Sequence, residues 1–316
     1  MLELDVPFKV RFHDFWPNFE PHSFLLTRLI SNQVNDQLEI ITDPNTEVDL
    51  EIWSVFTFKS WKAKARARAF ASRSTSGLND YNARAFRGHR INFSTKSKKR
   101  LWYTGENLRP PVGIFDATCS FDVNDSIARN VYLPLWMTRI NHGLNTRSSE
   151  IYPTLDELMS PRKYSSKNVS LCTFSSVQEP IRASHLMALA ATEYFEEIGT
   201  FGKLHGKWVE NKLNRASEYL FQLCNENDLY PNYVTEKLQE AFICGNIPIW
   251  SGLDFNKHFN SEAIVNITGL SFEEIGIKLR SISSEKLINM YEKPILNHSP
   301  NLEAISQQLA EWVIDS

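Results

Sequence analysis

Two helices predicted from this sequence carry a basic residue in their first turn, which is an unusual arrangement. Lys237 follows Glu236 in the segment YVTEKLQEAFICG, whose apolar residues repeat with helical spacing from a predicted start near Tyr233. Arg182 lies near the start of EPIRASHLMALA, the second such segment. Because the helix macrodipole is positive at the N-terminus, a cation in the first turn costs roughly 0.3–1 kcal/mol. A bound anion would reverse that cost, since the cation and the backbone N–H groups would attract it together.

Both helices follow predicted strands, and ligands of α/β proteins bind at the carboxyl ends of the strands. Together, Arg182 and Lys237 therefore predict one polyanionic ligand such as a diphosphate. Glu236 is placed to accept hydrogen bonds from a ribose diol. The residues alone also allow an alternative, in which both cations are solvated and their aliphatic stems cover neighbouring side chains.

The elements that must position these residues alternate as in an α/β protein. FKVRFHDF, LEIITDP, VDLEIWSVF and RLWYTGEN are predicted strands, with a helix from Pro21 to Asp36 between the first two. The pattern restarts with the strand SLCTFSS and a helix from Pro180 to Gly199. The strand EYLFQLCNE, the helix YVTEKLQEAFICG and the strands NIPIW and AIVNI follow. This order predicts parallel sheets, and 316 residues allow two domains.

Composition excludes several classes of protein. With 42% hydrophobic and 22% charged residues the chain is globular, and its four scattered cysteines favour a reducing compartment over a disulfide framework or a zinc site. The sequence contains no GxxxxGK, GxGxxG, GxSxG or HExxH motif. Its start, MLELDVPFKV, is unlike a signal peptide, and no stretch of 18 apolar residues occurs. A cytoplasmic location is therefore expected.

The acidic pair closest to a metal-binding pattern is Asp49 and Glu51. Both lie on one face of a predicted strand, and a solvated strand edge is the favoured interpretation. No metal site is expected.

Charge is distributed unevenly along the chain. Between Lys59 and Arg100 there are thirteen basic residues and one acid, Asp80, within a chain of net charge −3. We expect this segment, about 59–100, to be an exposed insertion. It could dock on an anionic membrane surface, which would make the protein a peripheral membrane protein. It could also bind an acidic acceptor or nucleic acid, or be only a solvated loop.

The segment NENDLYPNYVTEKLQEAFICGNIPIWSG, residues 225–252, resembles the signature of the family-10 glycosyltransferases, the α-1,3/α-1,4-fucosyltransferases. RLWYTGENLRPP, EPIRASHLMALA and MYEKPILN resemble further segments of the bacterial members, in the same order. The resemblance covers residues 7–57 loosely and 100–136 and 170–295 well. Asn225 and Asp228 depart from the pattern, which leaves the identity of the donor sugar open.

The resemblance implies a GT-B fold, an α/β architecture of two Rossmann-like domains facing each other across a cleft. Residues 1–160 would form the acceptor-side domain with the basic insertion, and residues 161–297 the domain that binds a GDP-sugar donor. A C-terminal helix at 298–316 is a candidate to pack back on the first domain.

The resemblance also implies roles for individual residues. Glu106 would be the general base, although the residues alone favour a turn carboxylate bonded to neighbouring N–H groups. Arg182 and Lys237 would neutralise the GDP leaving group, so that no metal and no cofactor would be needed. The remaining donor-binding residues would be Glu236 at the ribose, Tyr233 and Asn227 lining the site, and Glu226 near the sugar.

The implied activity is inverting, metal-independent transfer of fucose from GDP-fucose. The acceptor would be a glycan containing GlcNAc or galactose, which could be lipid-linked, and the linkage α-1,3 or α-1,4. Nucleic acid is not an expected partner of such an enzyme. Two alternatives stay open: the same scaffold with another nucleotide-sugar donor, and a non-catalytic protein that binds nucleotides or glycans.

Overall fold

The computed structural model describes residues 6–55, 97–108, 115–123, 129–143, 152–176 and 179–314. The chain divides into two compact units. The first unit comprises Met1–Tyr152, Tyr230–Tyr233 and Pro300–Ser316, and the second comprises Pro153–Leu229 and Val234–Ser299. Each unit contains one parallel sheet with helices, which confirms the predicted α/β class with two Rossmann-like domains.

Among the described residues, six parallel strands form the sheet of the first unit. They are β1 Phe8–His13, β2 Leu38–Ile40, β3 Val48–Ser54, β4 Ser97–Tyr103, β5 Ala117–Ser120 and β6 Asn130–Tyr132. Their order in the sheet is β2-β1-β3-β4-β5-β6. The chain first moves from β1 to one side and then returns to the other side, so the order reverses between β1 and β3. Such a reversal, or switch point, leaves a crevice at the carboxyl ends of the two strands.

The second unit repeats this plan with five parallel strands in the part of the chain that the structure describes. They are β7 Ser170–Phe174, β8 Glu197–Phe201, β9 Phe221–Asn225, β10 Ile247–Ser251 and β11 Val265–Asn266. Their order is β11-β10-β9-β7-β8, which places the switch point between β7 and β9.

Helices are divided between the units. The first unit has α1 Leu25–Gln33, α2 Leu135–Thr138 and, near the C-terminus, α9 Leu302–Leu309. The second has α3 Leu155–Met159, α4 Pro180–Ala190, α5 Lys212–Ala216, α6 Lys237–Ile243, α7 Phe272–Arg280 and α8 Ser284–Glu292. In the described residues, none of the helices is long and apolar enough to cross a lipid bilayer.

The strands form where the sequence has short apolar runs. Leu50 and Ile52 of β3 and Leu101 of β4 are fully buried, as are Ile247 and Ile249 of β10. Strands covered on both faces need apolar residues along their whole length, which is why these runs predicted a parallel sheet.

The helix predicted at Pro21 to Asp36 is shorter in the structure. Pro21–Ser23 form a single 3-10 turn, and α1 ends at Gln33. Asn35 and Asp36 have φ angles of 51° and 59°, in the left-handed region where an α-helix cannot continue.

The C-terminal helix α9 packs on α1 of the first unit. The Ser306 hydroxyl donates a hydrogen bond to the Leu29 carbonyl at 2.8 Å and accepts one from the Gln33 amide at 2.8 Å. A buried hydroxyl with both functions satisfied stabilises this contact between distant parts of the sequence.

Two predictions in the second unit were wrong in their boundaries. The helix predicted to reach Gly199 ends at Ala190, and Glu197–Phe201 form β8. Gly199 is in this strand, where a larger residue would not fit: a Cβ there would be 2.3 Å from the Tyr219 hydroxyl oxygen. The helix predicted to start near Tyr233 begins at Lys237, with Glu236 as its N-cap residue.

The interpretation of Asp49 and Glu51 as a solvated edge was wrong for Glu51. Strand β3 lies between β1 and β4, and the Glu51 side chain is fully buried. Its carboxylate is 3.4 Å from the Arg11 guanidinium and 3.3 Å from the His13 ring. These basic groups offset the desolvation that keeps most carboxylates at the surface.

The basic segment falls mostly outside the described residues. Of residues 59–100, the structure describes 97–100, which begin strand β4. The function of this segment at a membrane surface therefore stays a prediction.

Candidate functional site

Most of the predicted site residues fall into two groups, one in each unit, and each group also contains a threonine that was not predicted. In the first unit Glu106, Thr104 and Tyr233 form what we call the carboxylate cluster. In the second unit Arg182, Glu226, Asn227, Thr235 and Lys237 form the cation cluster. Each group is built around residues that directly follow the carboxyl end of a parallel strand.

Glu106 lies in a tight turn directly after β4. The Thr104 hydroxyl donates a hydrogen bond to the Glu106 carbonyl and accepts one from the Glu106 N–H at 3.1 Å. Gly105 lies close to Leu135, whose Cδ1 would be 3.0 Å from a Cβ at this position. The turn therefore fixes the backbone of Glu106 through a side chain two residues earlier.

The Glu106 carboxylate makes a contact that the sequence did not predict. Instead of bonding to neighbouring N–H groups, it accepts a hydrogen bond at 3.1 Å from the hydroxyl of Tyr233, 127 residues away. Tyr233 is buried, and its ring packs edge-on against Phe121 at 5.0 Å. Glu106 itself is exposed. An accessible carboxylate oriented by a fixed phenol can take a proton from a hydroxyl group brought within hydrogen-bond reach.

The cation cluster lies at the switch point of the second sheet. Arg182, in the first turn of α4, follows β7, whereas Glu226 and Asn227 directly follow β9. The Arg182 guanidinium donates a hydrogen bond to the Asn227 side-chain oxygen at 3.1 Å. Residues from the two strands that flank the crevice are thus in direct contact, which is the arrangement expected of a ligand site in a Rossmann-like domain.

Glu226 is the buried centre of this cluster, with a side chain that is fully inaccessible to solvent. Its carboxylate accepts hydrogen bonds from the Thr235 N–H at 3.1 Å, the Thr235 hydroxyl at 2.7 Å and the Lys237 ammonium at 3.1 Å. The Trp250 indole N–H lies 3.4 Å away. Charge-assisted hydrogen bonds of this kind are about twice as strong as neutral ones and hold the carboxylate in place.

The same contacts explain why a helix begins with a lysine. Lys237 is the first residue of α6, and its ammonium group bonds to Glu226 and, at 2.8 Å, to the Thr235 hydroxyl. The Glu226 carboxylate therefore offsets the repulsion between Lys237 and the helix dipole. Lys237 is neither simply solvated nor dependent on a bound anion for its charge balance. Its side chain is 20% exposed, so part of it remains accessible.

A glycine allows this packing to form. A Cβ on Gly252 would lie 2.4 Å from the Trp250 ring and 2.9 Å from Cγ of Glu226. Real Cβ atoms are not found at such distances, so a larger residue would displace Glu226 or Trp250.

His185 extends the cluster along α4, one turn after Arg182. Its Nδ1 lies 3.3 Å from the Asn225 side-chain oxygen, and burial lowers the pKa of its ring despite this hydrogen bond. His185 is thus favoured in its neutral form.

Sequence reasoning did not identify Thr104, Thr235, Trp250 or His185 as parts of these clusters. Thr104 could have been found, because a threonine two residues before a candidate carboxylate is typical of a side-chain-stabilised turn. Glu236 is half-buried as the N-cap residue of α6, and its predicted contact with a ribose stays a prediction.

Residues 163–292, which lie in the second unit except for Tyr230–Tyr233, match the model of the C-terminal part of glycosyltransferase family 10 (fucosyltransferase). This match confirms the resemblance read from the signature segment. The cation cluster lies entirely within the matched range.

Two characterised proteins are similar to parts of the chain. The α-(1,3)-fucosyltransferase FucT of Helicobacter pylori is 29% identical over an alignment of 231 positions that covers 64% of this chain and 48% of that protein. The human 4-galactosyl-N-acetylglucosaminide 3-α-L-fucosyltransferase 9 is 38% identical over 58 residues, 18% of this chain and 16% of that protein. The chain thus spans about half the length of the bacterial relative.

Crystal structures of an α1,3-fucosyltransferase share the fold. The complex with GDP-fucose superposes with a TM-score of 0.66 at 19% identity, and the complex with GDP gives 0.66 at 20% identity. Both comparisons cover 100% of this chain and 93% of the other. The fold is therefore that of the GT-B glycosyltransferases, as the signature segment implied.

Proposed function

We propose that this chain, whose residues 163–292 match the model of the C-terminal part of glycosyltransferase family 10, is a fucosyltransferase. The donor would be GDP-fucose and the acceptor a glycan that contains GlcNAc or galactose. The observation that carries the proposal is the position of the family match, because it contains the switch point at which Arg182, Glu226 and Lys237 meet.

The donor would bind through its diphosphate at the cation cluster. Arg182 is partly exposed and presents a planar guanidinium, a group that binds phosphate oxygens in pairs. Lys237 would contribute a second positive charge, which Glu226 positions but also partly balances. We therefore expect Arg182 to supply the larger share of the phosphate binding.

The reaction would be a single displacement with inversion at the fucose anomeric carbon. The acceptor hydroxyl oxygen would form a bond to that carbon while the bond to the GDP phosphate oxygen breaks and its electron pair leaves with GDP. Glu106 would receive the hydroxyl proton, with Tyr233 orienting its carboxylate. Positive side chains would stabilise the charge that develops on the leaving group, so that the reaction needs neither a metal ion nor a cofactor.

The relatives suggest a first acceptor to test. The human relative is named for 4-galactosyl-N-acetylglucosaminide and for a bond to position 3, and the bacterial one is an α-(1,3)-fucosyltransferase. The disaccharide 4-galactosyl-N-acetylglucosamine, with α-1,3 transfer of fucose, is therefore the reaction we propose for this chain.

A donor panel tests the proposal. The purified chain is incubated with this disaccharide and, in separate reactions, GDP-fucose, GDP-mannose, UDP-glucose or UDP-galactose, in EDTA and with Mn²⁺. We expect a fucosylated product from GDP-fucose alone, at the same rate in EDTA, and an inverted anomeric configuration by NMR. Turnover of only a UDP-sugar, retention of configuration or an absolute need for Mn²⁺ would contradict the proposed reaction.

A further inference from the structure

A pocket of about 180 Å³ lies within the first unit, apart from the residues assigned so far. Residues from two parts of the chain line it: the loop that follows β1, and the three residues Thr138, Arg139 and Tyr152. The side chains that give it its chemistry are Trp16, Phe19, Glu20, Thr138, Arg139 and Tyr152. Pockets for drug-sized ligands measure roughly 300–1,000 Å³, so this one suits a smaller group, such as a single ring.

The position of the pocket in the sheet indicates a ligand site. The loop that carries Trp16 and Phe19 follows β1, one of the two strands that flank the switch point of the first sheet. Asn18, between the two aromatic residues, has a φ angle of 61°, which turns the loop sharply. In α/β sheets, the loops at the carboxyl ends of switch-point strands form the binding crevice.

The aromatic wall of the pocket is fixed by its neighbours. The rings of Trp16 and Phe19 meet at 4.9 Å, and each packs against Phe24, at 5.8 and 5.2 Å. Phe24 is buried and packs edge-on against Tyr103 at the end of β4, with ring centroids 5.0 Å apart. A wall held by this many ring contacts is formed before any ligand binds.

One basic residue joins the two sides of the pocket. The Arg139 guanidinium lies 5.3 Å from the centre of the Trp16 ring and 5.6 Å from that of Tyr152. It also donates a hydrogen bond to the Tyr152 hydroxyl at 2.7 Å. The pocket therefore combines flat apolar faces with a pre-positioned donor group, and Glu20 adds an acceptor.

The pocket and Glu106 lie at the same edge of the same sheet. Strands β1 and β4 are separated only by β3, so their carboxyl ends are two strand spacings, or roughly 10 Å, apart. Thr138 of the pocket lies 3.5 Å from the Tyr103 hydroxyl, and Tyr103 precedes the turn that carries Glu106. A short oligosaccharide covers such a distance.

We propose that this pocket binds one pyranose ring of the acceptor, next to the ring whose hydroxyl Glu106 would deprotonate. The inference rests on the proposed function, which makes the acceptor a glycan. A pyranose ring presents an apolar C–H face that would pack on Trp16, and hydroxyl groups at its rim that would bond to Arg139 and Glu20. The opposite charges of Arg139 and Glu20 disfavour a polyanion such as the GDP diphosphate at this position.

Steady-state kinetics of Trp16→Leu test the inference, since leucine keeps much of the volume and removes the aromatic face. With 4-galactosyl-N-acetylglucosamine, we expect the KM of the acceptor to rise at least tenfold. The KM of GDP-fucose and the rate of GDP-fucose hydrolysis without acceptor should not change. For the monosaccharide N-acetylglucosamine, which lacks the second ring, the change in KM should be much smaller.

Trp208→Leu is the matched control, because Trp208 is 84% exposed and lies in the second unit. Its acceptor KM should equal that of the wild type. An unchanged acceptor KM in Trp16→Leu, or equal shifts for the donor and both acceptors, would overturn the subsite.

A binding measurement separates this inference from the proposed function. Saturation-transfer difference NMR with the disaccharide, without donor, should give signals from the wild type and Trp208→Leu and much weaker ones from Trp16→Leu. If the wild type transfers no fucose but binds the disaccharide through Trp16, the proposed function fails and the subsite stands. No disaccharide signal from the wild type, or equal signals from Trp16→Leu, would refute the subsite. Should Trp16→Leu not fold, Arg139→Gln serves as the second variant, with the same expected direction.

Discussion

The two units share one topology but carry different chemistry at equivalent positions. Strands β1 and β3 flank the switch point of the first sheet as β7 and β9 flank that of the second. After β1 the chain has the aromatic residues Phe15 and Trp16, whereas Arg182 and Glu226 follow β7 and β9. The fold supplies a crevice in each unit, and the residues after the strands determine whether it suits a sugar ring or a diphosphate.

A second comparison concerns two buried carboxylates, Glu51 and Glu226. Glu51 lies inside β3, where Arg11, His13 and Ser97 from the two neighbouring strands bond to it. Glu226 lies just beyond the end of β9 and holds Lys237. Both are ion-paired and inaccessible to solvent, yet only the second is next to a candidate ligand site. The position along the strand, rather than burial, separates a structural carboxylate from a functional one.

Replacing the predicted base should have the largest effect. We expect Glu106→Gln to lower the rate of fucose transfer by roughly 10²–10⁴-fold, because a neutral amide cannot accept the hydroxyl proton. The affinity for GDP should be unchanged, since Glu106 belongs to the first unit. Rates come from product formation under saturating substrates. Glu39→Gln, at an exposed carboxylate of β2, is the control, and equal transfer rates of the two variants would remove Glu106 from the mechanism.

Glu51 should matter for stability. In Glu51→Leu the buried guanidinium of Arg11 loses its carboxylate, which typically destabilises a protein by about 3–5 kcal/mol. Urea unfolding followed by circular dichroism measures the change, with Glu39→Leu at an exposed position as the comparison. A loss below about 1 kcal/mol would show that Glu51 does not hold the strands together.

Acid should destabilise the structure around His258 before the structure around Glu51. Burial, reinforced by the charge of His298, lowers the pKa of His258 to about 4. The unfolded chain therefore binds a proton near pH 6.5 that the folded chain resists, and up to about 3 kcal/mol of stability is lost between pH 6.5 and 4.

Burial raises the pKa of Glu51, but hydrogen bonds from His13 and Ser97 and the charge of Arg11 lower it below 4.5 overall. The contribution of Glu51 is therefore present above pH 4.5 and is lost only as the pH falls through this lower pKa.

Hydrogen exchange at pH 7, 5.5, 4 and 3 checks this order. Peptides around His258 should lose protection between pH 6.5 and 4, and peptides of β3 only at lower pH. In His258→Leu the loss of protection above pH 4 should be smaller. If peptides around His258 and peptides of β3 lose protection at the same pH, and His258→Leu does not change this, the role assigned to His258 is contradicted.

Lys237→Met should show that the cation cluster serves both packing and binding. Buried Glu226 would lose one of its donors, which costs roughly 1–3 kcal/mol, and GDP would lose one positive charge. We expect a lower unfolding temperature and weaker GDP binding together, whereas Lys278→Met, at an exposed lysine of α7, should change neither. Weaker stability with unchanged GDP affinity would make Lys237 a purely structural residue.

The sequence predicted what local patterns determine. Apolar runs identified β1 to β4, β7, and β9 to β11, and the signature segment led to Glu226, Tyr233 and Lys237. Strands β5, β6 and β8 were missed. Strand β8 is short and follows a helix without a strong break, and its glycine is explained only by contact with Tyr219.

Contacts between distant residues could not be predicted from one sequence. The hydrogen bond between Tyr233 and Glu106 spans 127 positions, and the pocket joins Trp16 to Arg139. The pairing of Lys237 with Glu226 is nearer in sequence, but it depends on the turn that brings Thr235 back over β9. Such contacts depend on the tertiary fold, whereas hydrophobic periodicity predicts only local secondary structure.

Calorimetric titration of GDP in EDTA tests most directly the claim that the second unit binds a nucleotide diphosphate through its own cations. The wild type should bind GDP with the same Kd in EDTA and in Mg²⁺. Arg182→Gln, which removes a charge-assisted contact worth about 1.5–3 kcal/mol, should bind roughly 10- to 100-fold more weakly. Binding that appears only with a divalent metal, or an equal Kd for Arg182→Gln, would contradict the account.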